Sequence, residues 1–197
     1  MMEDLRLPIL LAFAGLSISP MPARARPAGW PSPANSDITR DSMLVQATRT
    51  MSLDLPGSAD AAFPLFGPVD EAKWSPGWSP RFVTPLPGAQ SPDGAVFTTG
   101  DADLPTVWVM TDFDPEARMV RYVQVRPGQL AVQLWIWVSA VSPHASRAEV
   151  TYRYTLLGPG GRGAMDHFVA AFPGFQHHWE TFIGAALTGR AGDPHHP

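Results

Sequence analysis

Residues 160–190 read GGRGAMDHFVAAFPGFQHHWETFIGAALTGR. Apolar side chains recur there every three or four positions, which is the spacing of one face of an amphipathic helix. They are Met165, Phe168, Val169, Phe172, Phe175, Trp179, Phe182, Ile183, Ala186 and Leu187. Gln176 lies near the middle of this stripe, and Pro173 removes a backbone donor beside Gly174. We therefore expect a kinked or two-piece helix that either packs as ordinary core or closes over a cavity.

Strand-like segments rich in β-branched and aromatic residues precede this helix. They cover residues 45–55, 95–100, 106–113, 119–126, 129–142 and 146–157. The breaks between the last five contain Asp, Pro and Gly, as short turns do. Between the first two lie two short helical segments, residues 59–66 capped by Ser58 and residues 69–74. The sequence therefore predicts an α+β fold in which one curved antiparallel sheet of six to seven strands packs on a long C-terminal helix.

Composition limits the classes of function. The chain has 197 residues, 45% of them hydrophobic, which is typical of a folded domain. Its net charge is −4 and it has no basic block, so we expect no nucleic-acid partner. It has no Cys, which excludes disulfides and thiolate metal sites. His177 and Glu180 are better explained as a solvated helix face than as metal ligands. No known catalytic motif occurs, so we predict no catalytic residue, no metal and no cofactor.

The N-terminal region has two interpretations. Residues 1–25 resemble a secretory signal with a short apolar run, although Glu3 and Asp4 stand where a positive charge is expected. A functional signal predicts a periplasmic or secreted protein. If translation starts at Met43 instead, the protein is cytoplasmic. The apolar run is too short for a stable membrane span. Residues 26–43 are Pro-rich and predict a disordered linker, residues 44–190 the folded domain, and residues 191–197 a disordered tail.

Several local motifs carry a resemblance to a known group of proteins. They are Phe66 with 74–80 (WSPGWSP), 106–109 (TVWV) with Asp114-Pro115, 125–128 (VRPG) and 150–155 (VTYRYT). Together with the order of elements, they resemble the helix-grip fold of the START-like, or SRPBCC, superfamily in a bacterial, polyketide cyclase/dehydrase-like branch. The resemblance covers about residues 44–190. It implies a START-like ligand-binding domain with a cavity between the concave face of the sheet and the C-terminal helix. The Pro173–Gly174 interruption departs from the continuous long helix of that superfamily.

Candidate ligand-binding residues follow from this cavity. Tyr152 and Tyr154 alternate on one strand face, which we assign to the interior, where their hydroxyl groups could orient a ligand. The remaining candidates are Trp78, Trp108, Phe172, Gln176 and Trp179. The same residues also fit an ordinary core in which the polar groups bond to backbone. Trp78, beside Pro76-Gly77, is either a plug that holds the second short helix or a ring at the cavity mouth.

Trp135 and Trp137 share a second strand face whose side of the sheet periodicity leaves open. On the concave side they would line the cavity. On the convex side they would be exposed, or would meet a homodimer partner or the N-terminal segment. The leading hypothesis is a domain that binds a small apolar or aromatic molecule without transforming it. The alternatives are an enzyme of the cyclase/dehydrase or hydrolase type in the same cavity, and a structural or partner-binding domain that uses an exposed Trp face.

Overall fold

The structure is a computed structural model that describes Arg26 and residues 29–31, 36–41, 44–84 and 94–189. Its strands are β1 (Ser36–Asp41), β2 (Leu44–Pro56), β3 (Arg81–Phe82), β4 (Val96–Thr99), β5 (Thr106–Asp114), β6 (Met119–Arg126), β7 (Leu130–Ser142) and β8 (Ala145–Leu156). The α-helices are α1 (Ala59–Ala62) and α2 (Arg162–Leu187), and short 3-10 helices cover Phe63–Phe66, Asp70–Lys73 and Pro159–Gly161.

The strands form a single antiparallel sheet in the order β1-β2-β8-β7-β6-β5-β4-β3. Eight strands in the described part of the chain exceed the six to seven expected, because β1 and the two-residue β3 extend the edges. From β4 to β8, consecutive strands are neighbours, so the predicted meander is confirmed. The first strand of the core, β2, pairs with the last strand, β8, from Gln46–Thr155 to Pro56–Ala145. The long β7–β8–β2 pairing thereby supplies the widest part of the surface on which α2 lies.

Local sequence explains the two short helical segments. Ser58 precedes α1 in an extended conformation, and its hydroxyl accepts a hydrogen bond from the Ala61 backbone N–H at 3.2 Å. Pro64 follows at the start of the next 3-10 helix, where a missing N–H costs little. Ala62, Phe63 and Phe66 are buried, so this segment closes one end of the interior.

Helix α2 is anchored at its start by a close approach to the β6–β7 hairpin. A Cβ atom on Gly161 would lie 2.2 Å from the carbonyl oxygen of Gln129, so no side chain fits there. Helix α2 then runs without a break through Pro173 to Leu187, and the expectation of a two-piece helix is wrong. Pro173 and Gly174 are both exposed. The proline ring therefore lies on the solvent side of the helix, as does the backbone carbonyl that lacks a hydrogen-bond donor because proline has no N–H.

One strand lies within the segment that the sequence predicted as a linker. Residues 36–41, predicted as part of the disordered linker, form the edge strand β1 beside β2. The signal-like residues 1–25 and the C-terminal residues 191–197 lie outside the described residues. Within the described residues, none of the helices combines the length and apolar character needed to cross a membrane.

Candidate functional site

The space between the concave face of the sheet and α2 is lined with aromatic rings. Tyr152 and Tyr154 project from β8 towards the helix, as their alternation predicts. The Tyr154 ring stacks on Phe168 with 3.8 Å between centroids, and the Tyr152 ring lies 5.5 Å from Phe168. Burial raises the pKa of both phenol groups. The interior assignment of the two tyrosines is therefore confirmed.

The helix contributes two groups of rings to this space. Phe172 is buried and lies 5.4 Å from Phe168 and 6.0 Å from Phe175. One turn further on, Trp179 packs edge-on against Trp74 at 5.0 Å and against Tyr152 at 6.3 Å. The C-terminal half of the helix thus closes over a packed aromatic cluster rather than over open space at Trp179.

An open pocket lies nearer the start of α2. It has a volume of about 180 Å³. Its lining residues are Thr106, Gln124, Arg126, Leu130, Tyr154, Ala164, His167, Phe168 and Phe175. Sheet strands β5 to β8 supply one side and α2 the other, so the pocket lies between the sheet and the helix. Exposed His167 marks the side on which it reaches the surface.

The polar side of this pocket is built by β5 and β6. Gln124 and Arg126 lie two and four positions after Tyr122 on β6, so all three share the concave face. The Arg126 guanidinium donates a hydrogen bond to the Thr106 hydroxyl at 3.2 Å. Its positive charge lowers the pKa of the Tyr154 phenol, although burial has the larger and opposite effect. Arg126 and Tyr154 therefore line the same pocket, and their polar groups interact electrostatically.

Glu71 places a carboxyl group at the other end of the interior. It belongs to the 3-10 helix Asp70–Lys73, and desolvation by burial raises its pKa from 4.5 to about 8. No cation or hydrogen-bond donor of the described residues offsets this effect. The carboxylate lies close enough to Tyr122 and Tyr152 to raise the pKa of each phenol further. The raised pKa favours the protonated form of this half-buried carboxyl group at neutral pH.

Trp78 and Trp108 lie in a separate cluster towards the β3–β4 edge. The Trp108 ring stacks on Phe97 at 5.8 Å and meets Trp78 edge-on at 5.4 Å. Both indole N–H groups are satisfied, by the Pro68 carbonyl at 2.7 Å for Trp78 and by the Thr99 hydroxyl at 2.9 Å for Trp108. Trp78 thus pins the segment around the second short helix to the sheet, as the plug interpretation predicts.

Gln176 lies elsewhere than predicted. Its side chain is exposed, and its amide donates a 3.3 Å hydrogen bond to Glu180, which in turn accepts from the Asp54 backbone N–H at 3.0 Å. Gln176 therefore does not face the chamber, because the buried stripe is narrower than periodicity alone suggested. His177 and His178 are exposed as well, and no group of three metal-ligating side chains occurs in the part of the chain that the structure describes.

Trp135 and Trp137 are on the convex face. Trp137 on β7 lies directly opposite the buried Glu149 on β8. The N-terminal segment covers Trp137 and Glu149. The Trp30 ring packs edge-on against Trp137 at 6.3 Å, and its indole N–H donates a hydrogen bond to the Glu149 carboxylate at 2.7 Å. Arg26 forms an ion pair with the same carboxylate. At Trp137 the structure therefore has the wall contributed by the N-terminal segment.

Sequence reasoning missed Glu71 and the polar lining of the pocket. The signal for Arg126 and Gln124 was present, since they share strand parity with the buried Tyr122 and lie just before the Pro127-Gly128 turn. For Glu71 no comparable signal exists. A short helix with two acids and a lysine is typical of a surface, and only the tertiary structure desolvates the Glu71 carboxyl group near Tyr122 and Tyr152.

Comparison with known proteins agrees with this geometry. No protein-family model matches the chain, and no curated protein has a significantly similar sequence. Solved structures do match. A point mutant of norcoclaurine synthase from Thalictrum flavum, in complex with a transition state analogue, superposes with a TM-score of 0.56 and 12% identity over 77% of this chain and 100% of that chain.

Two bacterial structures are similar to the same extent. An aromatase/cyclase from a Streptomyces species has a TM-score of 0.55 and 12% identity over 77% of this chain and 99% of that chain. A protein from Thermobifida fusca has a TM-score of 0.55 and 18% identity over 76% of this chain and 97% of that chain. At these identities the likeness shows the fold. The chain has the helix-grip fold, as the order of elements in the sequence indicated.

Proposed function

We propose that this domain binds a small hydrophobic or aromatic molecule between the sheet and α2. The observation that carries the proposal is the pocket of about 180 Å³ that the sheet and the helix enclose together. Its walls are mostly rings and aliphatic groups, with a few polar atoms at one side, which is the usual construction of a small-molecule site. A cavity of about 150 Å³ lined by apolar side chains is large enough to hold benzene, so one ring with a small substituent fits.

The packed aromatic residues beyond the pocket support a role as its inner wall. Tyr154 and Phe168 line the pocket, and Phe172 backs them. Tyr152 and Trp179 continue the wall towards Glu71. Trp78 and Trp108, whose indole N–H groups are already bonded, support the sheet beneath it. A longer ligand would have to displace these rings, so we expect a small one.

Filling the pocket tests this proposal. Ala164 is a half-buried lining residue, and Ala164→Phe places a ring in the space. Ala170, exposed on the same helix and absent from the lining, provides the control variant Ala170→Phe. Neutral probes such as indole and benzyl alcohol are titrated by calorimetry or by chemical-shift changes.

We expect saturable binding to the parent and to Ala170→Phe, with a loss of about tenfold or more in affinity for Ala164→Phe, because a filled pocket excludes the probe. Absence of saturable binding to the parent would show that the interior is ordinary core. Equal binding to both variants would place the ligand elsewhere.

A second candidate function is catalysis in the same chamber, and Glu71 favours it. General acid–base catalysis works best when the group has a pKa near the working pH, and burial raises the pKa of Glu71 to about 8. The protonated carboxyl could donate to a carbonyl or hydroxyl oxygen of a ligand, with the Tyr152 phenol nearby. The chemistry proposed here is a proton transfer and requires no cofactor.

Mass spectrometry separates the two functions. Parent and Glu71→Gln are each incubated with a small-molecule extract of the host, and the compounds bound and consumed are compared. A binding protein retains the same molecule in both variants and changes none. Consumption of a compound by the parent that is lost in Glu71→Gln, with binding retained, would establish the enzyme.

A further inference from the structure

The guanidinium group of Arg126 lines the pocket and has no carboxylate partner among the residues that the structure describes. Arg126 is half-buried at the end of β6, and its one hydrogen bond runs to the neutral Thr106 hydroxyl at 3.2 Å. Among the residues that the structure describes, no carboxylate lies within ion-pair distance of the Arg126 guanidinium. The pocket lining contains neither Asp nor Glu. Most of the five guanidinium N–H donors are therefore free to bind an acceptor.

The chemistry of the lining is divided between its two sides. Thr106, Gln124 and Arg126 supply polar groups from β5 and β6, whereas α2 supplies the rings of Phe168 and Phe175, with the exposed His167 at the rim. Tyr154 lies between them with its ring on Phe168 and its phenol within the field of Arg126. A ligand that satisfies both sides has an anionic group at one end and an apolar ring at the other.

We propose that the pocket selects a small aromatic carboxylate, held by Arg126 and Thr106 through its carboxylate and by Phe168 and Phe175 through its ring. This inference rests on the proposed function and adds the charge of the ligand to it. A guanidinium presents parallel donors that match the two oxygens of a carboxylate. The volume of about 180 Å³ suits one ring with that group and excludes long fatty acids.

The test compares benzoate with benzamide, which has nearly the same shape and no charge, at neutral pH and one fixed salt concentration. Inorganic phosphate is a third probe that carries charge without a ring. We expect the parent to bind benzoate about tenfold more tightly than benzamide, because charged hydrogen bonds are stronger than neutral ones in a partly buried site. Phosphate should bind far more weakly than benzoate, since it leaves the ring side empty.

Three variants locate the effect. Arg126→Gln should reduce the benzoate-to-benzamide affinity ratio to about one while benzamide still binds, and Arg126→Lys should retain part of the preference. Arg153→Gln removes the same charge from the opposite face of the sheet, where Arg153 lies over the Trp135 ring at 5.2 Å. That control should keep the parent ratio.

The outcomes separate the two proposals. If benzamide and indole bind but benzoate has no advantage, or if Arg126→Gln keeps the advantage, the carboxylate inference is wrong and the proposed function stands. If none of the probes binds the parent, both are wrong. If phosphate binds as tightly as benzoate, the site is a general anion site and the inference is overturned.

Discussion

The carboxyl groups of Glu71 and Glu149 lie on opposite sides of the sheet in very different surroundings. Glu149, on the convex side, accepts a hydrogen bond from Trp30 and an ion pair from Arg26. Glu71, on the concave side, has only the desolvating chamber and two phenol groups near it. A buried carboxylate needs such partners to remain charged. The comparison teaches that the partnered acid connects the N-terminal segment to the sheet, whereas the acid whose charge is offset by no cation of the described residues has the raised pKa.

The largest expected difference between the two sides concerns their tryptophans. Trp74 is 6% exposed, donates to the Leu65 carbonyl at 2.7 Å and packs on Trp179. Trp74→Ala should lower the free energy of unfolding by about 3–5 kcal/mol. Trp137 is half-buried on the convex face, so Trp137→Ala should lower the free energy of unfolding by only about 1–2 kcal/mol. Urea denaturation of both variants measures this, and equal losses would mean that the convex face is as well packed as the chamber.

The two acids should differ in the pH dependence of stability. The pKa of Glu71 is raised in the folded state, so the native protein binds a proton that the unfolded chain releases between pH 4.5 and about 8. Stability should therefore fall as pH rises through that window. Glu71→Gln removes this loss, so the variant should equal the parent near the lower limit and exceed it by on the order of a few kcal/mol near the upper one.

The control for this measurement is Glu116→Gln, which changes an exposed glutamate in the β5–β6 turn. Urea melts across the same pH range should show parallel curves for the parent and Glu116→Gln. A Glu71→Gln curve that also runs parallel to the parent would show that the Glu71 carboxyl is charged and solvated at neutral pH.

The contacts of Glu149 should couple the N-terminal segment to the sheet. Removal of residues 1–31 should leave a folded domain that is about 1–2 kcal/mol less stable, because the buried Glu149 carboxylate loses the guanidinium of Arg26 and the indole N–H of Trp30. Glu149→Gln in the full chain should cost a similar amount. When the two changes are combined, the losses should fall short of their sum, as expected for groups in contact. Strict additivity would contradict the contact, and an unfolded truncated chain would contradict the domain boundary.

The smallest effect is expected at Gln176, which is exposed and makes one weak hydrogen bond to Glu180. Gln176→Leu should change stability by less than about 0.5 kcal/mol, as surface substitutions usually do. Affinity for the neutral aromatic probes should also be unchanged. A change in ligand preference on this substitution would return Gln176 to the binding site and would require the helix to rotate about its axis.

The fold was predictable because its signals are local. Alternation in β5 to β8, turn residues between them and the three-four spacing of α2 each depend on neighbours in sequence. The same reasoning was wrong where the spacing of apolar residues along α2 was used to predict which side chains face the interior. Gln176 lies four residues after Phe172 and three before Trp179, which is the spacing of one helix face. The buried face of α2 is nevertheless narrow enough to leave Gln176 in solvent.

The site was predictable only in part. The alternation of β8 placed Tyr152 and Tyr154 in the interior, and both are there. Arg126 carries the same parity signal on β6, but charge next to a turn is usually solvated, so parity alone does not identify it as a pocket residue. Which of the two faces held Trp137 could not be read from a period of two, because a strand with aromatic residues on both faces fits either orientation.

By itself, the sequence determined the order of elements, the antiparallel pairing and the aromatic stripe of α2, because these follow from periodicity and turn chemistry within a few residues. Only the tertiary structure decided that Glu71 is desolvated, that Arg126 faces a pocket without a counter-ion, and that Trp30 covers Trp137. Trp30 and Glu149, for example, are 119 positions apart in the sequence, and the pKa of Glu71 depends on the solvent that packing excludes. Burial and charge neutralisation are properties of the assembled chain, and no local pattern encodes them.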